Sequence, residues 1–170
     1  MEIQHYIGIE LSSSKMAMGR VLEGLTRAEV VWQPASGCNS IGLILFHMAR
    51  SEDSFMQGIL QKRTLIWESE KWYEKLGLSK EEEGGHYTVD QVNAFKVPEL
   101  ATILEYYDAV RAKTKEKLRA MPVEAFDEEV TFLNFGKMSV GALFSVLLSH
   151  TSQHIGEISY LRGMQRGMDK

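Results

Sequence analysis

Four stretches of this chain repeat their apolar residues at intervals of three and four, and that period constrains the fold more than any other feature. The first runs from about Ile9 to Arg27, with Leu11, Met18, Leu22 and Leu25 stacking on one face. A connector holding Trp32, Pro34, Gly37 and Cys38 follows. Asn39 or Ser40 can then cap a second helix that extends to Gln61. The third opens at Val97-Pro98-Glu99, since proline has no N–H to leave unpaired in a first turn. It keeps Leu100, Ile103, Leu104, Tyr107, Val110, Thr114, Leu118 and Met121 in one stripe until Pro122. The fourth spans about Met138 to Arg162, with Val140, Leu143, Phe144, Leu147, Ile158 and Leu161 on one face and Gly163 placed to end it. Four amphipathic helices of this length predict an all-α fold, a four-helix bundle.

The connections are unequal. About a dozen residues join the first two helices, which suits antiparallel neighbours. The stretch from about Lys62 to Val97 is far longer than an ordinary helix connection and predicts a crossover that returns the third helix parallel to the second. Within it, Gly84-Gly85 is a break, and Thr88-Val89-Asp90-Gln91 reads as a capping box opening a short helix. Trp67, Trp72 and Tyr73 there can pack the crossover onto the bundle, line the mouth of a pocket, or form the interface of a homodimer.

At 170 residues the chain suits one domain spanning 1–170, and 44% hydrophobic residues suffice for a core without disulfide or structural metal. A net charge of −4 offers no global attraction to nucleic acid or anionic membrane. No run approaches the ~18 to 20 apolar residues of a membrane span. The N-terminal residues lack the basic and apolar regions of a secretory signal. Cys38, the one cysteine, excludes an internal disulfide and a thiolate zinc cluster. A cytoplasmic location and a small-molecule substrate are expected.

The chemistry concentrates in Ser149-His150-Thr151-Ser152-Gln153-His154-Ile155-Gly156-Glu157. Histidines four apart on a helix lie about 6 Å apart along its axis and can converge on one ion. Leu147, His150, His154, Ile158 and Leu161 follow the apolar stripe, so both rings take core-facing slots. An unpartnered buried polar group costs about 1 to 3 kcal/mol, and one metal ion would satisfy both rings. A third ligand must come from another helix. His47 is the candidate, although it lies roughly 100° from Met48 on the stripe's flank, which fits an edge histidine as well as a ligand. His5 and His86 are expected to be solvent-exposed. Di-iron, zinc-peptidase, phosphate-loop and nucleophile-elbow patterns are all missing from the sequence.

The sequence resembles the DinB/YfiT-like superfamily over almost its whole length. The resemblance rests on Trp32-Gln33-Pro34, on Asn39-Ser40-Ile41-Gly42 leading to His47, and on Trp72-Tyr73-Glu74-Lys75-Leu76-Gly77. It continues through Glu105-Tyr106-Tyr107-Asp108-Ala109-Val110-Arg111 to His150-x-x-x-His154-Ile155-Gly156-Glu157-Ile158 and Tyr160-Leu161-Arg162-Gly163. The resemblance implies a four-helix bundle holding a divalent ion, zinc or nickel in most relatives, through His47, His150 and His154. It further implies the chemistry of the better-understood relatives, S-transferases that use bacillithiol or mycothiol and a mycothiol-dependent isomerase. Glu157 stands where relatives often have glutamine, which would put a carboxylate one turn from the site.

Three imidazoles leave an ion at least one open position, the mark of a catalytic rather than a closed structural site. Such an ion can lower the pKa of water or of a low-molecular-weight thiol, giving S-transfer to a small electrophile or hydrolysis. Glu157 is the candidate catalytic base for hydrolysis and otherwise a solvated surface charge; Cys38 is either activated by the helix it precedes or a small packing residue. A non-catalytic, metal-stabilised binding or stress-response module is the third reading.

Overall fold

The structure, a computed structural model, describes residues 2–132 and 135–167. It is mostly helical. Four long helices dominate: α1 (Ile3–Leu22), α3 (Ile41–Asp53), α7 (Leu100–Ala120) and α8 (Val140–Arg166). Between the first two lies α2 (Arg27–Val31); the crossover holds α4 (Ile66–Ser69), α5 (Trp72–Leu76) and α6 (Val89–Ala94). A π-helical segment, Ser54–Leu60, prolongs α3, and a hairpin of β1 (Glu129–Thr131) and β2 (Lys137–Ser139) precedes α8. No helix among the described residues is long and apolar enough to cross a membrane.

The helix ends follow local chemistry. The first helix stops earlier than the apolar period predicts, because Gly24 turns left-handed and Thr26 starts α2 with a capping box to Glu29. Ser40 caps α3 by accepting the Leu43 N–H, and Thr88 with Gln91 forms the expected box on α6. Pro98 lies before α7 rather than in its first turn, since Glu99 is the N-cap. Its carbonyl instead accepts from the Arg27 guanidinium. Gly163 does not end α8; the helix continues to Arg166 and Gly167 closes it. Met138, expected to open that helix, pairs with Val130 in the hairpin, where the period of two was too short to read.

Helix α1 packs on α7 and α8, and α3 packs on the same two. The first two long helices are therefore not principal neighbours, contrary to expectation: α2 packs on the start of α3 and leads the chain away. Ile41, Ile44, Ile103 and Ile158 share one apolar cluster, whereas Phe55, Met56, Leu118 and Leu143 share the other. The starts of α3 and α7 thus lie together, as do their ends, so the crossover returns α7 parallel to α3. Trp67 and Trp72 are buried in the first cluster and fasten the crossover to it.

Helix α3 is buried almost all round, and its buried acidic residues are paired internally. Arg111 of α7 donates from Nε and Nη2 to the Glu52 carboxylate at 2.8 and 2.7 Å and from Nη1 to the Leu11 carbonyl of α1 at 2.7 Å. One residue on, Asp53 accepts the Ile66 and Trp67 amides and the Tyr106 hydroxyl, so it caps the crossover's first helix. Removing one partner of a buried pair leaves a bare charge. Glu52→Ala should therefore cost about 3 to 5 kcal/mol in denaturant unfolding. A loss under about 1 kcal/mol would show that Arg111 re-pairs without it.

Candidate metal centre

Three imidazoles meet between α3 and α8. His150 and His154 project from one side of α8 because they are four apart, and His47 reaches them from the middle of α3. His150 Nε2 lies 3.0 Å from His47 Nε2 and 3.1 Å from His154 Nε2. The three ligand nitrogens all fall within 4.8 Å of one another, and all three residues are half-buried. On α8 the fully buried stripe is Leu147, Thr151, Ile158 and Leu161; the two histidines flank it on the side toward α3. The flank position of His47 is interior for the same reason, since α3 has almost no solvent face.

Hydrogen bonds at the far nitrogens fix what the near ones offer. His47 Nδ1 is 2.6 Å from the Gly84 carbonyl, which can only accept, so Nδ1 carries the proton and Nε2 presents its lone pair. His154 Nδ1 donates in the same way to a Glu157 oxygen at 2.7 Å. With neutral rings, the three facing nitrogens then share at most the one proton His150 can offer. Lone pairs confronting lone pairs at this spacing fit a cation. The Nε2 atoms of His47, His150 and His154 would hold such an ion, which would act there as a Lewis acid. The donor set suits zinc, nickel, copper or iron alike.

Electrostatics favour the neutral, ligating form. Burial pushes the His150 imidazole down to about 4, with further lowering from His154 and His47. Burial likewise lowers His47, against the raising effect of its bond to the Gly84 carbonyl. Phe55 of the π-helical segment stands edge-on to His150, 5.9 Å between centroids, and closes that side with an apolar ring.

Of the residues singled out in the sequence, His47, His150 and His154 are brought together. Glu157 comes to the site, but its carboxylate is bound to the outer nitrogen of His154, where it orients that ring. His5 and His86 are exposed. Cys38, half-buried before α3, is outside the histidine group. Sequence reasoning missed the Gly84 carbonyl; the Gly84-Gly85 pair marked a break, yet nothing in it indicated which side chain the turn would meet.

Comparison with known proteins identifies the family. The profile of the DinB superfamily matches residues 10–158, and the chain belongs to that superfamily. A crystal structure described as the conserved protein of locus from Enterococcus faecalis is similar at a TM-score of 0.86 and 22% identity, covering 99% of each chain. That likeness concerns the fold alone. No curated protein matches the sequence.

The depressed imidazoles predict a pH dependence of the metal-free protein. Because folding lowers the His150 pKa from 6.5 to about 4, the unfolded chain binds protons first on acidification. This contribution is present above about pH 6.5 and is lost as pH falls toward 4. Thermal unfolding of metal-free protein should fall over that window, and more steeply than in His150→Gln. Parallel profiles for the two proteins would contradict the assignment.

Proposed function

We propose that this chain is a metal-dependent enzyme of the four-helix-bundle type, with His47, His150 and His154 holding one divalent ion, zinc or nickel. Its reaction in this reading is thiol-dependent S-transfer to a small electrophile. The observation that carries the reading is the convergence of three Nε2 atoms, two of them stripped of protons by bonds at Nδ1. Membership of the DinB superfamily and the closed ring of contacts among α1, α7, α3 and α8 support it further. In this account residues 1–170 act as one domain in the cytoplasm, on a small molecule.

A bound ion supplies a Lewis acid that lowers a thiol's pKa toward neutrality. The chain's own contributions are separate. His47 and His154 are oriented by Gly84 and Glu157, which raises their donor strength. Phe55 keeps water from one side of His150. Glu157, committed to His154, acts here as an orienting group rather than as a base.

Protein loaded with zinc or nickel should consume low-molecular-weight thiols such as cysteine or bacillithiol in the presence of 1-chloro-2,4-dinitrobenzene or monochlorobimane. The rate should fall at least about 100-fold in His150→Ala. Turnover of ester or amide substrates without thiol consumption would replace this reading with hydrolysis. Collapse of the helical signal on chelation, with no turnover of either kind, would instead indicate a metal-stabilised module.

A further inference from the structure

The crossover does more than join two helices. Its turn at Glu82–Gly84 comes down on the face of α3 that carries His47 and Arg50. Three sets of contacts hold it there. Arg50 donates from Nη2 to the Glu82 carbonyl at 3.0 Å, while its guanidinium lies over the Trp67 ring, 4.4 Å from the centroid. The Glu82 carboxylate accepts the Gly84 N–H at 3.2 Å and the Tyr87 hydroxyl at 2.6 Å. The Gly84 carbonyl then accepts the His47 Nδ1–H at 2.6 Å.

Glycine is required at position 84 on two separate grounds. Its φ is +78°, a left-handed conformation that a Cβ disfavours. A Cβ there would also stand 2.5 Å from both Cβ and Cγ of Arg50, closer than real contacts allow. The neighbouring Gly85 is less constrained, with its Cβ 3.2 Å from His47 Nδ1, a contact that a small shift of the ring relieves. Glycine at 84 thus lets the turn settle on the Arg50 stem, and glycine at 85 leaves room beside the His47 ring.

We propose that the Glu82–Gly84 turn is a positioning element for His47: the Gly84 carbonyl selects the Nδ1–H tautomer, fixes the ring about χ2, and so aims Nε2 at His150 and His154. An imidazole ring has a broad, roughly two-fold χ2 preference, so without that acceptor Nε2 would turn away in part of the population. The consequence for metal affinity rests on the metal-centre reading above; the tautomer and ring orientation do not. Arg50, Glu82 and Gly84 are accordingly positioning residues, acting through His47 and touching neither ion nor substrate.

Gly84→Ala and Gly77→Ala make the decisive comparison. Gly77 is also left-handed, at φ +65°, but a Cβ there meets nothing within 4 Å. Both substitutions impose the same kind of backbone strain, and only Gly84→Ala also crowds Arg50 and so displaces the carbonyl that His47 Nδ1–H meets. Long-range proton–nitrogen NMR of the metal-free proteins should show His47 protonated at Nδ1 in the parent and in Gly77→Ala, and a mixture of tautomers in Gly84→Ala. Zinc affinity, read by competition with a chelating dye, should weaken about 10- to 100-fold in Gly84→Ala and stay within about twofold in Gly77→Ala. Glu82→Ala, which frees the turn without crowding Arg50, should shift both readouts in the same direction by less, and replaces Gly84→Ala should that variant fail to fold. An unchanged His47 tautomer together with unchanged zinc affinity in the turn variants would overturn the proposal. If the parent protein bound no zinc yet lost the Nδ1–H tautomer on substitution, the positioning role would stand and the metal reading would fall.

Discussion

Nearly complete burial of α3 governs the rest of this structure. A helix with solvent on one side can leave its polar residues in water, but α3 cannot, because α7, α8, α2 and the crossover surround it. Each polar side chain in its middle must find a partner within the protein or cost it stability. His47 finds the Gly84 carbonyl and His150, Arg50 the Glu82 carbonyl and the Trp67 face, Glu52 the Arg111 guanidinium, and Asp53 two amides and a hydroxyl. Those partners come from α7, α8 and the crossover. One helix's demand for hydrogen bonds therefore fixes where the neighbouring elements sit.

The same demand generates the candidate chemistry. Because His47 and His154 keep their protons at Nδ1 to donate to Gly84 and Glu157, their inner nitrogens are left as electron pairs facing a third imidazole. Burial then keeps His150 and His47 from relieving the arrangement by protonation. A divalent cation is the simplest group that satisfies all three rings at once. The part-buried setting, with Phe55 on one side, separates these three rings from an exposed histidine cluster.

Much of this was legible in the sequence, and the rest was hidden for identifiable reasons. Periodicity marked the long helices because an amphipathic stripe records which face is covered. Their ends were harder: Gly24 and Thr26 divide the first segment, and Gly163 passes through α8 unnoticed, because a glycine ends a helix only where the backbone turns left-handed. His150 and His154 were visible as a pair through their spacing. His47 stayed ambiguous by phase, since the angle from a stripe has little meaning on a helix buried on nearly every side. The ion pair of Glu52 with Arg111 and the capping role of Asp53 left no local trace, as both depend on residues far apart in the chain meeting across the core.

X-ray absorption at the metal edge, on protein carrying one equivalent of zinc, tests the histidine centre most directly. The account predicts three imidazole nitrogens at ~2.0 to 2.1 Å, with an oxygen or nitrogen scatterer completing the shell. A sulfur scatterer at ~2.3 Å, or a shell of oxygens without the outer-ring scattering of imidazole, would place the ion elsewhere on the protein and contradict it.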